Sequence, residues 1–488
     1  MSEKQEVVIG QTVRPTDKFR PRTVSETFKR KTMNQHPTPQ RRGSDLVIGA
    51  GLSRRRLLSM GSVMFASGLL AACSSPAAPP AAVPATSAPA APAATSAPAK
   101  PAASAAPAAP SPSPAVAAPS PSAVAAPTTA PAVAAGGKTI RAAFVYTGPI
   151  NDHGWSNAHD DGRKALEQAL GSSVETAYTE NVPETADSQR VFEDYARKGY
   201  DIIYGTSFGF MDYMLEAAKS FPNVKFDHCS GFKTSPNMAT YYAAEEEPRY
   251  VSGMIAGKMT KTNTMGFVGS FPIPEVVRFL NAFAAGVQAT NPDAKIHMVW
   301  INTWFDPPKE KSGAESVLDL NADVLTGTTD SPSLAQAAAA RNKFAVGVDY
   351  DQASYAPTAI LQSDRFIWGP HYINSVKAVM AGTWKPVQFY YHIKDGMVEA
   401  TAPTSLVPAD IAKAAMDVHA QIKAGTFNIW KGPLVDNHGN VKAPEGKSLG
   451  DFYEGPPPEP GQTKEDAYAQ SNQMNWALSN IIGDIPQS

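Results

Sequence analysis

The sequence predicts an α/β protein built as two doubly wound, Rossmann-like lobes that face each other across a ligand cleft. Two observations carry that class. Strand-like apolar runs alternate with amphipathic helical patterns from residue 138 onward, and the pattern restarts around Lys261 to Asn263 as though a second sheet begins there. Size agrees, because the roughly 350 residues involved are many for one core and comfortable for two.

The elements follow in order. TIRAAFVY (139–146) reads as a strand. GPINDHGWSNAHDDGRKALEQALG (148–171) opens as a loop and ends as a helix over 155–170, with Ala158, Gly162, Ala165, Leu166 and Ala169 on one face and Gly171 as its stop. Strands VETAYT (174–179), DIIYGT (201–206) and VKFDHC (224–229) then alternate with helices over 186–198 and 208–220, and a helix over 247–260 closes the first half. After the restart come strands TMGFVGS, KIHMVWI, DVLTG, KFAVGVD, TAILQS and QFYYHI, with helices over 275–289, 308–320, 331–341, 369–381 and 408–424. Lobe 1 is expected to take 138–262 with a return segment around 368–395. Lobe 2 is expected to take 263–367 with part of the C-terminal region 396–488.

What precedes residue 138 is of another kind. SRRRLLSMGSVMFASGLLAAC sets a twin-arginine pattern before a short apolar run that ends in Leu70, Ala71, Ala72 and Cys73. The run is short for a permanent span, and small residues at its end suit a signal peptidase. It resembles a bacterial lipoprotein signal. The resemblance implies cleavage before Cys73, thioether lipidation of its sulfur, and export by the twin-arginine route. Residues 1–72 are thus leader and signal peptide, and the reading allows a start at Met33. From residue 73 to 137 the lipidated cysteine leads an Ala/Pro/Ser tether that buries too little apolar surface to order itself. Extended at about 3.1 Å per residue, it reaches up to roughly 200 Å.

A formal net charge of −2 gives no support to a nucleic-acid partner. The two cysteines stand in such different settings that no disulfide framework is implied, and Cys229 reads as a buried strand-end hydrophobe. Histidine spacing implies no metal, and no cofactor is indicated.

The carboxyl ends of the predicted strands are unusually furnished. Besides 148–156 they read GTSFGF (205–210), SFPIPE (270–275), NTWFDP (302–307), GTTDSP (327–332) and DYDQ (349–352). In open parallel sheets such loops converge on one crevice. Trp155, Phe208, Trp304 and Phe305 offer ring faces there, while Asp152, Asp306, Asp330 and Asp349 offer acceptors. That mixture suits a flat, uncharged ligand bearing N–H or O–H donors and does not suit phosphate, since the loops lack clustered Lys or Arg.

Three decoys compete. GTSFG fits the G-x-S-x-G pattern with Ser207 as nucleophile, and Asp349 followed by His371 or His392 keeps the order a hydrolase requires. No HGGG-like oxyanion segment accompanies it, so Gly205 and Gly209 are read as permitting a turn and Ser207 as a helix cap. GMIAGKM (253–259) is one residue short for a phosphate loop and lies within a helical pattern. EEEPRYVSGMIAGKMTK reads as a helix whose small residues allow close packing on a sheet. The alternative is that Glu245 to Glu247 form a docking face.

Taken together, GPINDHGWSNAHDDGRKALE, NVPE, TSFGFMD, FPNVKFDHCSGFKT, RYVSGMIAGKMTK, GFVGSFPIPEV, NPDAK, WFDPPKEK, TDSP, VGVDYD and NWALSNIIGDIPQ resemble the basic membrane protein family of bacterial substrate-binding lipoproteins. The resemblance runs from about Lys138 to Gln487. It implies a type I periplasmic-binding fold with a hinge crossed three times, no enzymatic activity, and a monomer that closes on a purine base or nucleoside. Its partners are then the permease and ATPase of an ABC importer, on the outer face of the cytoplasmic membrane, to which the lipid on Cys73 anchors it. Carried over residue by residue, Asp152 and Trp155 match the acid and stacking aromatic of the first loop. Phe208 matches the position after the third strand, with Ser207 and Gly209 beside it. Trp304 and Phe305 match the second-lobe aromatic, and Asp349 matches the acid after KFAVGVD, with Asp330 a further candidate. Ser156 stands where nucleoside-binding members carry Asn after Phe, which turns the expectation toward a bare purine such as adenine. A pentose or hexose, or a sensor of the same fold, is the alternative.

Overall fold

The computed structural model describes residues 138–458, 462–471 and 473–486. The leader, Cys73 and the tether lie outside the described residues.

Two parallel-stranded sheets organise the chain. The first has six strands in the order β11-β5-β4-β3-β1-β2, all pairs parallel. Its members are β1 (Ile140–Val145), β2 (Val174–Thr179), β3 (Ile202–Gly205), β4 (Lys225–Cys229), β5 (Met238–Ala243) and, returning late in the chain, β11 (Gln388–Tyr391). The second runs β12-β10-β9-β8-β6-β7-β15. It contains β6 (Thr264–Gly269), β7 (Lys295–Trp300), β8 (Val324–Gly327), β9 (Phe344–Gly347), β10 (Ile360–Phe366), β12 (Val398–Ala400) and β15 (Ile481–Ile482). Only β12 is antiparallel, against β10. Every residue of β3, β5 and β8 is buried, as expected of strands covered on both faces. A small antiparallel pair, β13 (Leu434–Val435) and β14 (Val441–Ala443), lies in the C-terminal region.

Helices connect the strands. In lobe 1 these are α1 (Trp155–Leu170), α2 (Ala186–Arg197) and α3 (Met211–Ser220). In lobe 2 they are α5 (Pro274–Thr290), α6 (Pro307–Asp319) and α7 (Ser333–Ala340). Caps explain several of their starts. Thr185 accepts from Asp187 N–H at α2, and Asp306 accepts from Lys309 N–H at α6, where prolines at the first positions lose no hydrogen bond. Asp306, expected to face a ligand, is therefore a helix cap. α10 (Lys464–Gln470) begins with a Thr463/Asp466 capping box.

The chain passes between the sheets three times. The first passage is α4 (Glu246–Met259), the second is the short stretch between β10 and α8 (Gly369–Met380), and the third follows β11 toward β12, before α9 (Ala409–Lys423). α4 packs chiefly on α5 and also touches β10 and β12 of the second sheet. A Cβ on Gly253 would fall 2.2 Å from Phe283 O, and one on Gly286 would fall 2.0 Å from Tyr250 O. Glycine is required at both because the helix backbones touch. Glu245 and Glu246 are buried here, so the acidic run is no exposed docking face. Glu246 pairs with Arg278 at 3.0 Å, and Glu245 with Arg249 at 3.0 Å. Among the described residues no helix is long and apolar enough to cross a membrane.

Candidate functional site

The carboxyl ends of both sheets point into one cavity, whose empty volume is about 390 Å³ with the solvent at its mouth included. From the first sheet come Thr147 after β1, Trp155 at the start of α1, Ser207 and Phe208 after β3, and Ser230 after β4. From the second come Glu275 and Phe279 on α5, Trp304 after β7, Thr328 and Asp330 after β8, and Asp349 after β9. Six residues singled out from the sequence thus meet here: Trp155, Ser207, Phe208, Trp304, Asp330 and Asp349. Four others do not line the cavity, each for a physical reason.

Asp152 is buried beneath the first turn of α1. Its carboxylate accepts the N–H groups of Gly154, Ser156 and Asn157 at 2.8 to 2.9 Å. Burial pushes its carboxyl up to about 6 against the pull of those donors. Its oxygens are spent on the helix start, where they satisfy otherwise unpaired N–H groups. Ser156 is fully buried in the same turn. Phe305 sits beside Gly148, with its Cβ 3.8 Å from where a Gly148 Cβ would lie. Gly209 lies behind Phe208, and its N–H donates to Glu184 Oε1 at 2.8 Å. A Cβ there would fall 2.5 Å from Glu184 Cδ, so glycine is needed for that carboxylate to approach.

Only 9 % of the Trp155 surface is accessible in this conformation. Its indole N–H donates to Thr206 O, and its ring meets Phe366 edge-on at 5.3 Å and His159 at 4.7 Å. Such pairs contribute about 0.5–1.5 kcal/mol each beyond area burial, so the ring is fixed before any ligand arrives.

The acids of the second lobe are differently placed. Asp330 is buried with Oδ2 unpartnered, and burial followed by the nearby Asp152 and Asp349 carboxylates pushes it well above the usual range. Asp349, at φ +61, is likewise raised by burial and by Glu245. Glu275 is pushed up to about 7 by burial against the pull of Arg278. A left-handed conformation at Asp349 and Ser230 costs a non-glycine residue free energy, and it persists where surrounding contacts over-determine the loop. No Lys or Arg lines the cavity among the described residues. The site therefore offers ring faces, hydroxyls and carboxyls, a surface for a flat ligand with N–H donors and one unsuited to phosphate.

Sequence reasoning missed Thr147, Ser230 and Thr328, although each stands just past a strand it had recognised. Glu275 closes the quoted SFPIPE stretch without having been singled out, and Phe279 gave no separate signal, since it reads as an ordinary position of α5.

The geometry also disposes of the hydrolase pattern. The Ser207 hydroxyl donates to Glu184, and His228 Nε2 meets the Ser207 carbonyl at 2.8 Å rather than its hydroxyl. His371 bonds Asp227 and Tyr391, and His392 bonds Glu247. Ser207 caps no helix through its side chain. Cys229 is buried at the end of β4.

The lobes touch directly around the cavity. A Cβ on Gly154 would fall 2.1 Å from Asp330 O. His153 stacks on Tyr355 at 4.2 Å, and its carbonyl accepts from Gln352 Nε2 at 3.2 Å. Tyr350 donates to Asp161 at 3.1 Å, and Trp304 Nε1 donates to Glu184 at 3.1 Å. The described conformation is closed.

Comparison with known proteins agrees with this architecture. The chain is 42 % identical over 312 residues to a purine-binding protein of Brucella abortus, covering 64 % of this chain and 89 % of that one. It is 35 % identical over 302 residues to a protein of Haloferax volcanii named provisionally as an ABC transporter glucose-binding protein, covering 62 % and 76 %. A solved solute-binding protein of an Aeropyrum pernix ABC transporter system superposes with a TM-score of 0.51 at 20 % identity, over 59 % of this chain and 92 % of that one, which speaks for the fold alone. The sequence profile of the Bmp family, described as ABC transporter substrate-binding protein PnrA-like, matches residues 139–429, and the chain belongs to that family of binding proteins rather than to any enzyme class.

Proposed function

We propose that this substrate-binding protein captures a purine base or nucleoside, with adenine favoured, and presents it in the closed form to the permease of an ABC importer. The observation that carries the reading is the cavity itself. Trp155, Phe208, Phe279 and Trp304 supply ring faces, Asp330, Asp349 and Glu275 supply acceptors, and no cation lines it among the described residues. Stacking contributes about 1–3 kcal/mol per base and tolerates any planar heterocycle. The buried acids then favour ligands that bring N–H donors, as an amino-substituted purine does. The 42 % identity to a purine-binding relative supports the same class.

The test is mass spectrometry of whatever small molecule co-purifies, followed by calorimetry with adenine, guanine, adenosine, ribose and glucose. Adenine binding tightest is the expected result. The name of the Haloferax relative favours a second reading, a sugar, and glucose or ribose outcompeting every purine replaces the first reading with it.

Export and anchoring belong to the same proposal. Cys73, following Leu70, Ala71 and Ala72, carries the lipid, and the proline-rich tract holds the lobes away from the outer face of the cytoplasmic membrane as a monomer. Mass spectrometry of the mature amino terminus tests this. A chain beginning at lipidated Cys73 is expected, and one beginning earlier overturns it.

A further inference from the structure

We propose that Glu184 is the closure latch of the cleft and the positioning residue for Trp304, a role that rests on the ligand-binding reading of the cavity. Glu184 stands five residues beyond the end of β2, in the lip of lobe 1. One carboxylate oxygen, Oε1, accepts the Ser207 hydroxyl and the Gly209 N–H, the latter at 2.8 Å, so it is tied to the loop that carries Phe208 into the cavity. The other oxygen, Oε2, accepts the indole N–H of Trp304 from lobe 2 at 3.1 Å. One side chain therefore joins a cavity-lining loop of one lobe to a cavity-lining ring of the other.

The chemistry calls for a carboxylate. Three donors converge on two oxygens, and an acceptor-only group satisfies all of them. Glutamine keeps one oxygen for Ser207 and Gly209 and then turns an N–H₂ toward the Trp304 N–H, donor against donor. The approach is also built into the backbone, because any side chain at position 209 would collide with the carboxylate. Of the three bonds that Glu184 accepts, opening the lobes breaks only the one from Trp304. The Ser207 and Gly209 bonds stay within lobe 1 and keep Glu184 oriented for the next closure. The latch thus slows escape of the ligand. It holds the closed form with or without a ligand inside.

A double-mutant cycle on the full chain tests this. Association and dissociation of radiolabelled adenine are followed for the parent, Glu184→Gln, Trp304→Phe and the double variant. Each single variant is expected to speed dissociation about tenfold, and the double variant to dissociate no faster than either single one. Effects that multiply in the double variant, or a Glu184→Gln protein that releases adenine at the parent rate, overturn the latch. A parent that takes up no purine instead sinks the purine reading. The latch is then decided by single-molecule energy transfer between dyes on the two lobes of the ligand-free chain, where Glu184→Gln is expected to lower the closed fraction at least threefold and an unchanged fraction overturns it.

Discussion

The two lobes repeat one architecture but bring opposite chemistry to the cavity. Lobe 1 contributes the hydroxyls of Thr147, Ser207 and Ser230 with the rings of Trp155 and Phe208. Lobe 2 contributes the carboxyls of Glu275, Asp330 and Asp349 with Phe279, Trp304 and Thr328. The difference extends to how each wall is satisfied. In lobe 1 the acid next to the site is consumed internally, since Asp152 holds three N–H groups of α1, and the Trp155 N–H already has Thr206 as acceptor. In lobe 2 the Asp330 carboxyl keeps an oxygen without a partner. A buried unpaired acceptor costs about 1–3 kcal/mol, which a ligand donor relieves. At Asp152 and Trp155 lobe 1 is thus a finished platform, whereas at Asp330 lobe 2 is completed by what binds.

Trp155→Ala breaks the platform and carries the largest expected effect. The ring is buried among Phe366, His159 and Trp368, so its removal should lower the stability of the ligand-free protein by about 3–5 kcal/mol. Affinity for all planar purines should fall by similar amounts. Chemical denaturation and calorimetry read the two effects, and a stable variant that retains purine binding refutes the platform.

The join between the lobes gives a pH test. His392 follows β11 where the chain leaves the first sheet, bonded to Glu247 at 2.9 Å and 3.5 Å from Asp466. Burial alone would lower its pKa, but the carboxylates of Asp466 and Glu247 hold it up to about 10, above the ordinary 6.5. A raised folded value means that this stabilisation is complete below pH 6.5 and is lost as pH rises through 10. Between those limits the protein should lose up to about 1.4 kcal/mol per pH unit, a slope that His392→Gln should flatten. Equal slopes in denaturant titrations of both proteins at pH 7 to 10 would refute it.

How much of this was legible beforehand follows from range. All ten strands and nine helices read from the sequence are present, because periodicity and capping are local signals. β5 (MATYYA) escaped, and β12 to β15 have only two or three residues each. Strand ends pointed to Trp155, Ser207, Phe208, Trp304, Asp330 and Asp349, as the topological rule for parallel sheets requires. What each side chain does there depends on distant partners. Trp155 is enclosed by rings some 210 positions along the chain, and Trp304 reaches Glu184 across 120. The three backbone N–H groups that Asp152 holds leave no mark in the sequence.

Asp330 and Asp152 therefore separate the lobes more sharply than any other pair. Asp330→Ala should cost an amino-substituted purine about 1.5–3 kcal/mol of binding and unsubstituted purine much less, since only the former brings the donor that the free oxygen lacks. Asp152→Ala should cost about 1 kcal/mol of stability through the weakened helix start and shift all ligands alike. Calorimetry with adenine and purine on both variants decides. If Asp152→Ala proves the selective one, donor reading moves back to lobe 1.

Salt should have the smallest effect, and it sharpens what lobe 2 accepts. Three carboxyls without a lining cation admit either a neutral ligand with N–H donors or a cation. Screening acts on charge pairs, and the Debye length contracts from about 10 Å at 0.1 M to about 3 Å at 1 M. A neutral purine should thus bind with less than about a twofold change across that range, since it forms no ion pair to screen. A cationic ligand would lose affinity steadily, because its attraction to Asp330, Asp349 and Glu275 is weakened from the cavity mouth inward. An anionic ligand would gain as the repulsion from the same acids is screened. Titration of adenine at the two salt concentrations therefore reads the sign of the ligand's charge from the slope, and a steep slope in either direction refutes the neutral purine while leaving the contrast between the lobes intact.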